Sequence, residues 1–523
     1  MTPDQFSELA KQGFNHIPIT RELFADLDTP LSCYIKVARG PYSYLLESAS
    51  QGGEKWSRYS VVGLPSSQVL KIFGNEVVIE KDGAVTDRSR CDDPIEFIEK
   101  FQSQFNYPDL QGLPFYTGGL VGYFGYDTVR YVEKRVALSA PKDTIGSPDI
   151  LLMVSNDVIV FDSVKGKIHL ISHADPRVEG SYEAAEARLD EMVLAMNTDI
   201  PAEIRKPVQG PVIHEADFVS SYGEEQFKKD VEKIKKYIVA GDVMQVVLSQ
   251  RMSISFEADP LHLYRALRSL NPSPYMYYMD LNEEHIVSSS PEILARLDHD
   301  DVTVRPLAGT RRRGRDTDED FSLEKELLAD PKEIAEHLML IDLGRNDVGK
   351  VCVTGSVNVT EMMVIEKYAH VMHLASNISG KLRAEHSALD LLRATLPVGT
   401  LSGAPKVRAL EIIDELEPEK RGIFGGAVGY LSWNGNMDTA IAIRTAVIKD
   451  MKLYIQAGAG IVADSIPELE WKETMNKARS IFRAAAMAES GLDVRMEGDE
   501  NPREFRQGES RGVVNQGPSR EAQ

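Results

Sequence analysis

The chain has 523 residues, with 59 Lys and Arg against 80 Asp and Glu, a formal charge of −21. That balance disfavours a nucleic-acid footprint or an anionic membrane surface as partner. Apolar residues at 42% and charged residues at 27% are the proportions of a globular protein with ample core material.

Cys33, Cys91 and Cys352 show no CxxC spacing, so neither a disulfide framework nor a zinc site is expected, and the expected compartment is the reducing cytoplasm. The opening MTPDQFSELAKQG carries acids and lacks the apolar run of a signal peptide. No stretch holds the roughly 20 apolar residues of a membrane span.

Residues 1 to about 30 read as a short helix and an extended lead-in. Strands follow at CYIKVA, YSYLLES, SRYSVVGL, VLKIFG and EVVIEKDG, with Asn75 and Asp82-Gly83 as turn residues. A helix is predicted at 94–106. GGLVGYFGYD (118–127) reads as a Gly-rich strand where backbones approach closely. Strands ILLMVSNDVIVFD and KIHLIS and a helix from Tyr182 to Met196 complete an N-terminal region, 1–200. The Pro-containing, aperiodic segment 197–217 is the predicted boundary before a catalytic core, 218–490.

The core opens with a helix from Ser221 to Ala240, then the strand VMQVVLSQRMSIS and a helix at 260–270. Pro331–Asp347 reads as a helix whose apolar stripe is Ile334, Leu338 and Ile341. Glu336 shares a side with Met339, Leu340 and Leu343, and a carboxylate among aliphatics requires a compensating cation or hydrogen bond. A second helix, opening at Pro467, packs Trp471, Met475, Ala478 and Phe482 and lines Glu470, Glu473, Thr474 and Lys477 on a neighbouring stripe. Acid on the partly apolar side of each helix suits Mg²⁺, which typically takes one or two carboxylates and fills its shell with water and anionic oxygens. GG-x-VGY occurs twice, at 118–123 and 425–430, as two Gly-rich strands of one sheet system would have it. Residues 491–523 read as a disordered polar tail.

EHLMLIDLGRND, AHVMHLASNISG, LPVGTLSGAPK, GGAVGY, AIAIRTA, QAGAGIVADS and ExxETxNKA occur in this order over 221–486, with LLES and PSPYM upstream. Together they closely resemble the chorismate-utilising enzymes, best the anthranilate-forming large subunits. The resemblance implies an α/β (α+β) fold with two facing β-sheets, helices outside, and the N-terminal part packed on the core. It implies Mg²⁺ held by Glu336 and Glu473. Arg444 and the backbone of Gly458, Ala459 and Gly460 would grip substrate carboxylates, with Gly309, Thr310, Thr400 and Phe424 completing the cradle. Phe424 stands where many relatives carry Tyr, so a hydroxyl contact is missing there. Glu292 resembles the acid that protonates the departing hydroxyl, and His373 the residue that assists loss of pyruvate.

The implied activity converts chorismate and ammonia to anthranilate and pyruvate, the first step of tryptophan biosynthesis. No cysteine sits in a glutaminase nucleophile turn, so ammonia is expected from glutamine through a separate amidotransferase subunit (component II) in a hetero-oligomer. Relatives that add water carry Lys where this chain has Gln245, and 4-amino-4-deoxychorismate synthases carry Lys where it has Ala308. A sister enzyme stopping at 2-amino-2-deoxyisochorismate is the alternative. Ser48, Pro274, Tyr275 and Met276 resemble the site of feedback inhibition by tryptophan.

Overall fold

The computed structural model describes residues 1–49, 58–205, 210–368 and 371–492. The expected polar tail lies outside them, apart from Gly491 and Leu492. Two large sheets face each other, each with twelve strands among the described residues. Tyr44, Val61, Met279 and Ile286 from one sheet meet Val121, Tyr123, Met153 and Val428 from the other in the central core. Helices Ser181–Met196, Pro260–Leu270 and Pro467–Ser490 cover the first sheet through Leu189, Leu263 and Phe482. Helices Pro94–Gln102, Pro331–Gly349 and Ala388–Thr395 cover the second through Ile98, Ile341 and Leu392.

Each sheet takes five strands from the N-terminal region and seven from the core. In the first, Ser43–Glu47 pairs antiparallel with Tyr275–Asp280. In the second, Gly119–Phe124 pairs with Ala427–Ser432, and this joins the two GG-x-VGY strings with Gly122 opposite Gly429. A Cβ on Gly122 would lie 1.9 Å from the Leu151 carbonyl oxygen, so close strand approach requires glycine there. Among the described residues of the Pro-containing segment between the regions, Gly210 N–H donates to the Glu489 carbonyl at 2.8 Å.

Two local expectations are corrected. CYIKVA is helical, not a strand. A reciprocal Thr29–Ser32 cap with Pro30 at the first position starts the helix Pro30–Cys33, and a wider turn, Tyr34–Ala38, continues it. Burial of Tyr34, Ile35 and Ala38 fixes this outcome over the strand-like alternation around Lys36. On Pro331–Gly349, Leu338 is 40% exposed, and His337, Leu340 and Ile341 form the packed side instead. The helix is rotated so that the buried His337 imidazole, not Leu338, is on the packed side.

Two strands pass from sheet to sheet side by side. The chain leaves Glu284–Ser290 in the first sheet and enters Ile293–Asp298 in the second; beside it, Met437–Ile441 in the second gives way to Thr445–Lys449 in the first. Ser288 pairs with Thr445 and Ile293 with Ala440, so the two runs form one bent antiparallel ribbon. Behind it Arg421 and Glu417, both nearly inaccessible, pair at 2.6 Å, and Glu417 also accepts the Ser249 N–H at 2.8 Å. Burial of a lone charge is far costlier than burial of the pair. Arg421→Met should therefore lose about 3–5 kcal/mol in urea denaturation, with part restored by adding Glu417→Leu.

Candidate active site

The bend of this ribbon carries both Glu292 and Arg444. At a crossover the ladder lapses, so neither residue has regular strand neighbours to shield it. Glu292 is 4% exposed and accepts from Thr400 Oγ1 and from the Leu307 N–H, each at 3.3 Å on Oε1. Burial pushes its carboxyl up to about 8, against the partial opposition of these donors and of Lys477 and Arg444. A carboxyl held neutral at pH 7 can donate a proton. It lines a pocket together with Leu340, Leu343, Gly344 and Thr400.

Arg444 takes the left-handed backbone region, φ 48°, which costs a non-glycine residue about 1–3 kcal/mol. Its guanidinium makes no ion pair among the described residues, and burial holds its pKa below the ordinary value. A desolvated, unpaired guanidinium offers an anion a bidentate fork.

His373 lies on Val371–Lys381, opposite Thr310 of Leu307–Arg312. The ladder bulges between Ala308 and Thr310, where Gly309 has φ 60°; a Cβ there would come to 3.0 Å from Leu327. The bulge turns the Gly309 carbonyl to 3.0 Å from His373 Nδ1, with Thr310 Oγ1 at 3.1 Å. A carbonyl only accepts, so Nδ1 carries the proton and Nε2 presents its lone pair. Nε2 is buried without a hydrogen-bond partner. Burial, aided by Arg444, lowers this imidazole to about 4, so it is neutral and able to take a proton at pH 7.

Gly458, Ala459 and Gly460 lie on Lys452–Ile461, beside Gln245–Ser255, with Gly460 opposite Val247. A Cβ on Gly460 would fall 2.3 Å from Gln245 Nε2, so glycine at this position makes room for the Gln245 amide against the strand. The Gly458 carbonyl accepts from Lys477 Nζ at 2.8 Å. Lys477 also pairs with Glu473 at 2.8 Å and acts on Glu292 and His373. In the sequence Lys477 falls on a helix stripe with no role attached to it. Its spacing, four residues after Glu473, was the available signal. Tyr368, likewise unassigned, sets its ring edge against His373 at 5.6 Å. Phe424 is buried, with the Arg421 guanidinium 5.7 Å from its ring centroid, and lines a separate cavity with Thr445 and Gln456.

Glu336 is pushed up to about 7 by burial and by the like charges of Glu333, Glu473 and Asp464. Lys332 lies 4.0 Å from it. Two helices thus do bring Glu336 and Glu473 within electrostatic reach. No group of three or more His, Cys, Asp or Glu able to cage a metal exists among the described residues. A repelling carboxylate pair without a full protein cage fits Mg²⁺, which completes its shell with water and substrate oxygens.

Away from this centre, Ala49 N–H donates to the Ser273 carbonyl at 3.0 Å, bringing Ser48 beside Pro274, Tyr275 and Met276. Ser48 Oγ is buried and lacks a partner. The neighbouring Glu47 is held by Arg268 at 2.9 Å and Tyr264 at 2.5 Å.

The model of the chorismate binding enzymes matches residues 44–483. The chain belongs to that family. Anthranilate synthase component 1 of Pseudomonas aeruginosa is 57% identical over 493 residues, covering 94% of this chain and 100% of that protein. The same component of Neisseria gonorrhoeae is 54% identical over 499 residues, covering 94% and 100%. The crystal structure of anthranilate synthase component I from Streptococcus pneumoniae superposes with a TM-score of 0.73 at 41% identity, covering 82% of this chain and 92% of that one. The menaquinone-specific isochorismate synthase of Escherichia coli, at 20% identity and a TM-score of 0.66, shares the fold over 92% and 98% of the two chains. The two facing sheets with outer helices are thus the family's architecture.

The raised Glu292 carboxyl has a thermodynamic consequence. Folded protein keeps the proton up to about pH 8, whereas the unfolded chain releases it near its ordinary value of 4.5. Stability is therefore lost as pH rises through that window, at up to about 1.4 kcal/mol per pH unit. Glu292→Gln removes the titration, so its stability relative to wild type should climb between pH 5 and 8 and level off above, as read from denaturant midpoints.

Proposed function

We propose that the chain is the large subunit of an anthranilate synthase, converting chorismate and ammonia to anthranilate and pyruvate. The observation that carries this reading is the pairing of a neutral acid, Glu292, with an unpaired Arg444 at one ribbon bend, beside a neutral His373. Arg444 and the N–H groups of the Gly458–Gly460 strand bind substrate carboxylates. Glu336 and Glu473 would hold Mg²⁺, which supplies positive charge for the ring carboxylate when bound. Glu292 gives its proton to the departing ring hydroxyl as ammonia attacks. His373 Nε2 then assists removal of the ring proton as pyruvate leaves. Gln245 and Ala308 support ammonia as nucleophile, since neither can act as a base for water or as an attacking amine. The high identity to component 1 proteins supports the anthranilate branch.

The same reading takes ammonia from a glutamine amidotransferase subunit in a cytoplasmic hetero-oligomer. It takes tryptophan as the inhibitor, and the orphan Ser48 hydroxyl beside Pro274–Met276 supports a polar ligand group there.

Purified alone with Mg²⁺, the chain should form anthranilate from chorismate and ammonium and be inert with glutamine. Chromatography with mass detection checks this. Accumulation of 2-amino-2-deoxyisochorismate by wild type would favour the sister activity, and release of isochorismate would defeat the assignment. His373→Ala should slow the elimination by roughly 10²–10⁴-fold and build up the amino intermediate.

Glu336→Gln and Glu473→Gln should each weaken Mg²⁺ binding at least tenfold by calorimetry in the presence of chorismate, while leaving the thermal midpoint in EDTA unreduced. Glu336→Gln should raise it above pH 7, because the cost of burying its charge, with the added repulsion of the neighbouring acids, is gone. Wild-type Mg²⁺ affinity in both variants would refute the ligand pair.

A further inference from the structure

The string Ser288-Ser289-Ser290 precedes Glu292 and is buried throughout, yet neither catalysis nor a core of this size calls for three consecutive hydroxyls. Its geometry follows from the ribbon bend. Where the chain changes sheets, residues 441–444 lose regular ladder partners, and their carbonyls need donors from elsewhere. Ser290 Oγ donates to the Ile441 carbonyl at 2.7 Å. Ser288 Oγ lies 3.2 Å from the Ile443 carbonyl and 3.3 Å from that of Arg444. It also meets Thr445 Oγ1 at 2.9 Å, which itself donates to Ile443 and contacts Tyr277 OH at 3.0 Å. The Ser289 backbone N–H donates to the Arg444 carbonyl at 3.1 Å. Strand alternation sends the Ser289 hydroxyl to the opposite face, where it donates to the Asn271 carbonyl at 2.5 Å and accepts from Asn271 Nδ2 at 3.1 Å.

We infer that Ser288 and Ser290 are positioning residues: their hydroxyls hold the crossover carbonyls on either side of Arg444 and so fix its left-handed backbone against Glu292. This rests on Arg444 binding a carboxylate of chorismate, as proposed above. Without the Ser288 hydroxyl, the peptide between Ile443 and Arg444 is held only by Thr445 Oγ1 on the Ile443 carbonyl and the Ser289 N–H on that of Arg444; it leaves its costly conformation more readily, and the guanidinium moves with it. The interaction lost is one made to the substrate before as well as during reaction, so the effect falls on KM more than on kcat.

The test is steady-state kinetics with chorismate, ammonium and Mg²⁺ on Ser288→Ala, Ser288→Thr, Ser289→Ala and the wild type. Ser288→Ala should raise the chorismate KM about tenfold with kcat within about threefold. Ser288→Thr, which keeps the donor, should restore KM to within about threefold. Ser289→Ala, which deletes an equally buried hydroxyl from the same strand, should shift KM less than Ser288→Ala does. General destabilisation would lower the active fraction, and hence the apparent kcat, and leave KM unmoved. A Ser288→Ala enzyme with wild-type KM overturns the inference while leaving the proposed function intact. Equal KM increases in Ser288→Ala and Ser289→Ala overturn it too. A wild type without activity on chorismate defeats the function and this inference together.

Discussion

The whole arrangement depends on one ribbon that belongs to both sheets. An antiparallel pair normally satisfies its own backbone, but a pair that bends from one sheet into another must interrupt its ladder. Here the interruption falls at 289–292 on one strand and 441–444 on the other. Backbone groups freed there are met by serine and threonine hydroxyls and by neighbouring peptides: Ile441 N–H donates to the Glu292 carbonyl at 3.0 Å, and Ala442 N–H to that of Gly426 at 2.8 Å. This break lies between the regular strand spans of both runs. Glu292 and Arg444 occupy that place.

Burial then supplies the chemistry. The same desolvation keeps the Glu292 carboxyl protonated and the His373 imidazole neutral, so an acid and a base coexist unionised at neutral pH. Arg444 makes no ion pair with a carboxylate among the described residues, and the proposed function gives it one from the substrate. In a chain of net charge −21, an anionic ligand is otherwise repelled, and the local cations Arg444 and Lys477 counter that field at short range. Glu336 lies in the opposite regime, where neighbouring acids add to burial and create a demand for a cation.

Much of this was legible in the sequence because it is local or periodic. Alternation and turn residues located most strands, and Pro at the helix starts with 3.6-residue periodicity located Pro331–Gly349 and Pro467–Ser490. The unease of Glu336 among aliphatics was also a local property. Motifs in fixed order carried the family, and some of them hold backbone demands that few residues meet, such as the close strand approach at Gly429 in GGAVGY. Local signals misled at CYIKVA, where alternation spoke for a strand while a cap and tertiary burial made a helix, and at Leu338, where two apolar stripes were open to one helix.

What sequence by itself determined was the inventory: which elements form, which family they belong to, and which acids and bases are present. Tertiary structure alone decided their pairing. No periodicity reveals that GG-x-VGY at 118–123 lies beside its counterpart at 425–430, because strand partners distant in the chain are selected by packing, not by local propensity. Nor could it show that Lys477 reaches the Gly458 carbonyl, or that Glu292 and Arg444 share one bend. Protonation followed the same rule: a side chain's pKa is set by the dielectric and charges around it, and only the folded chain brings those together.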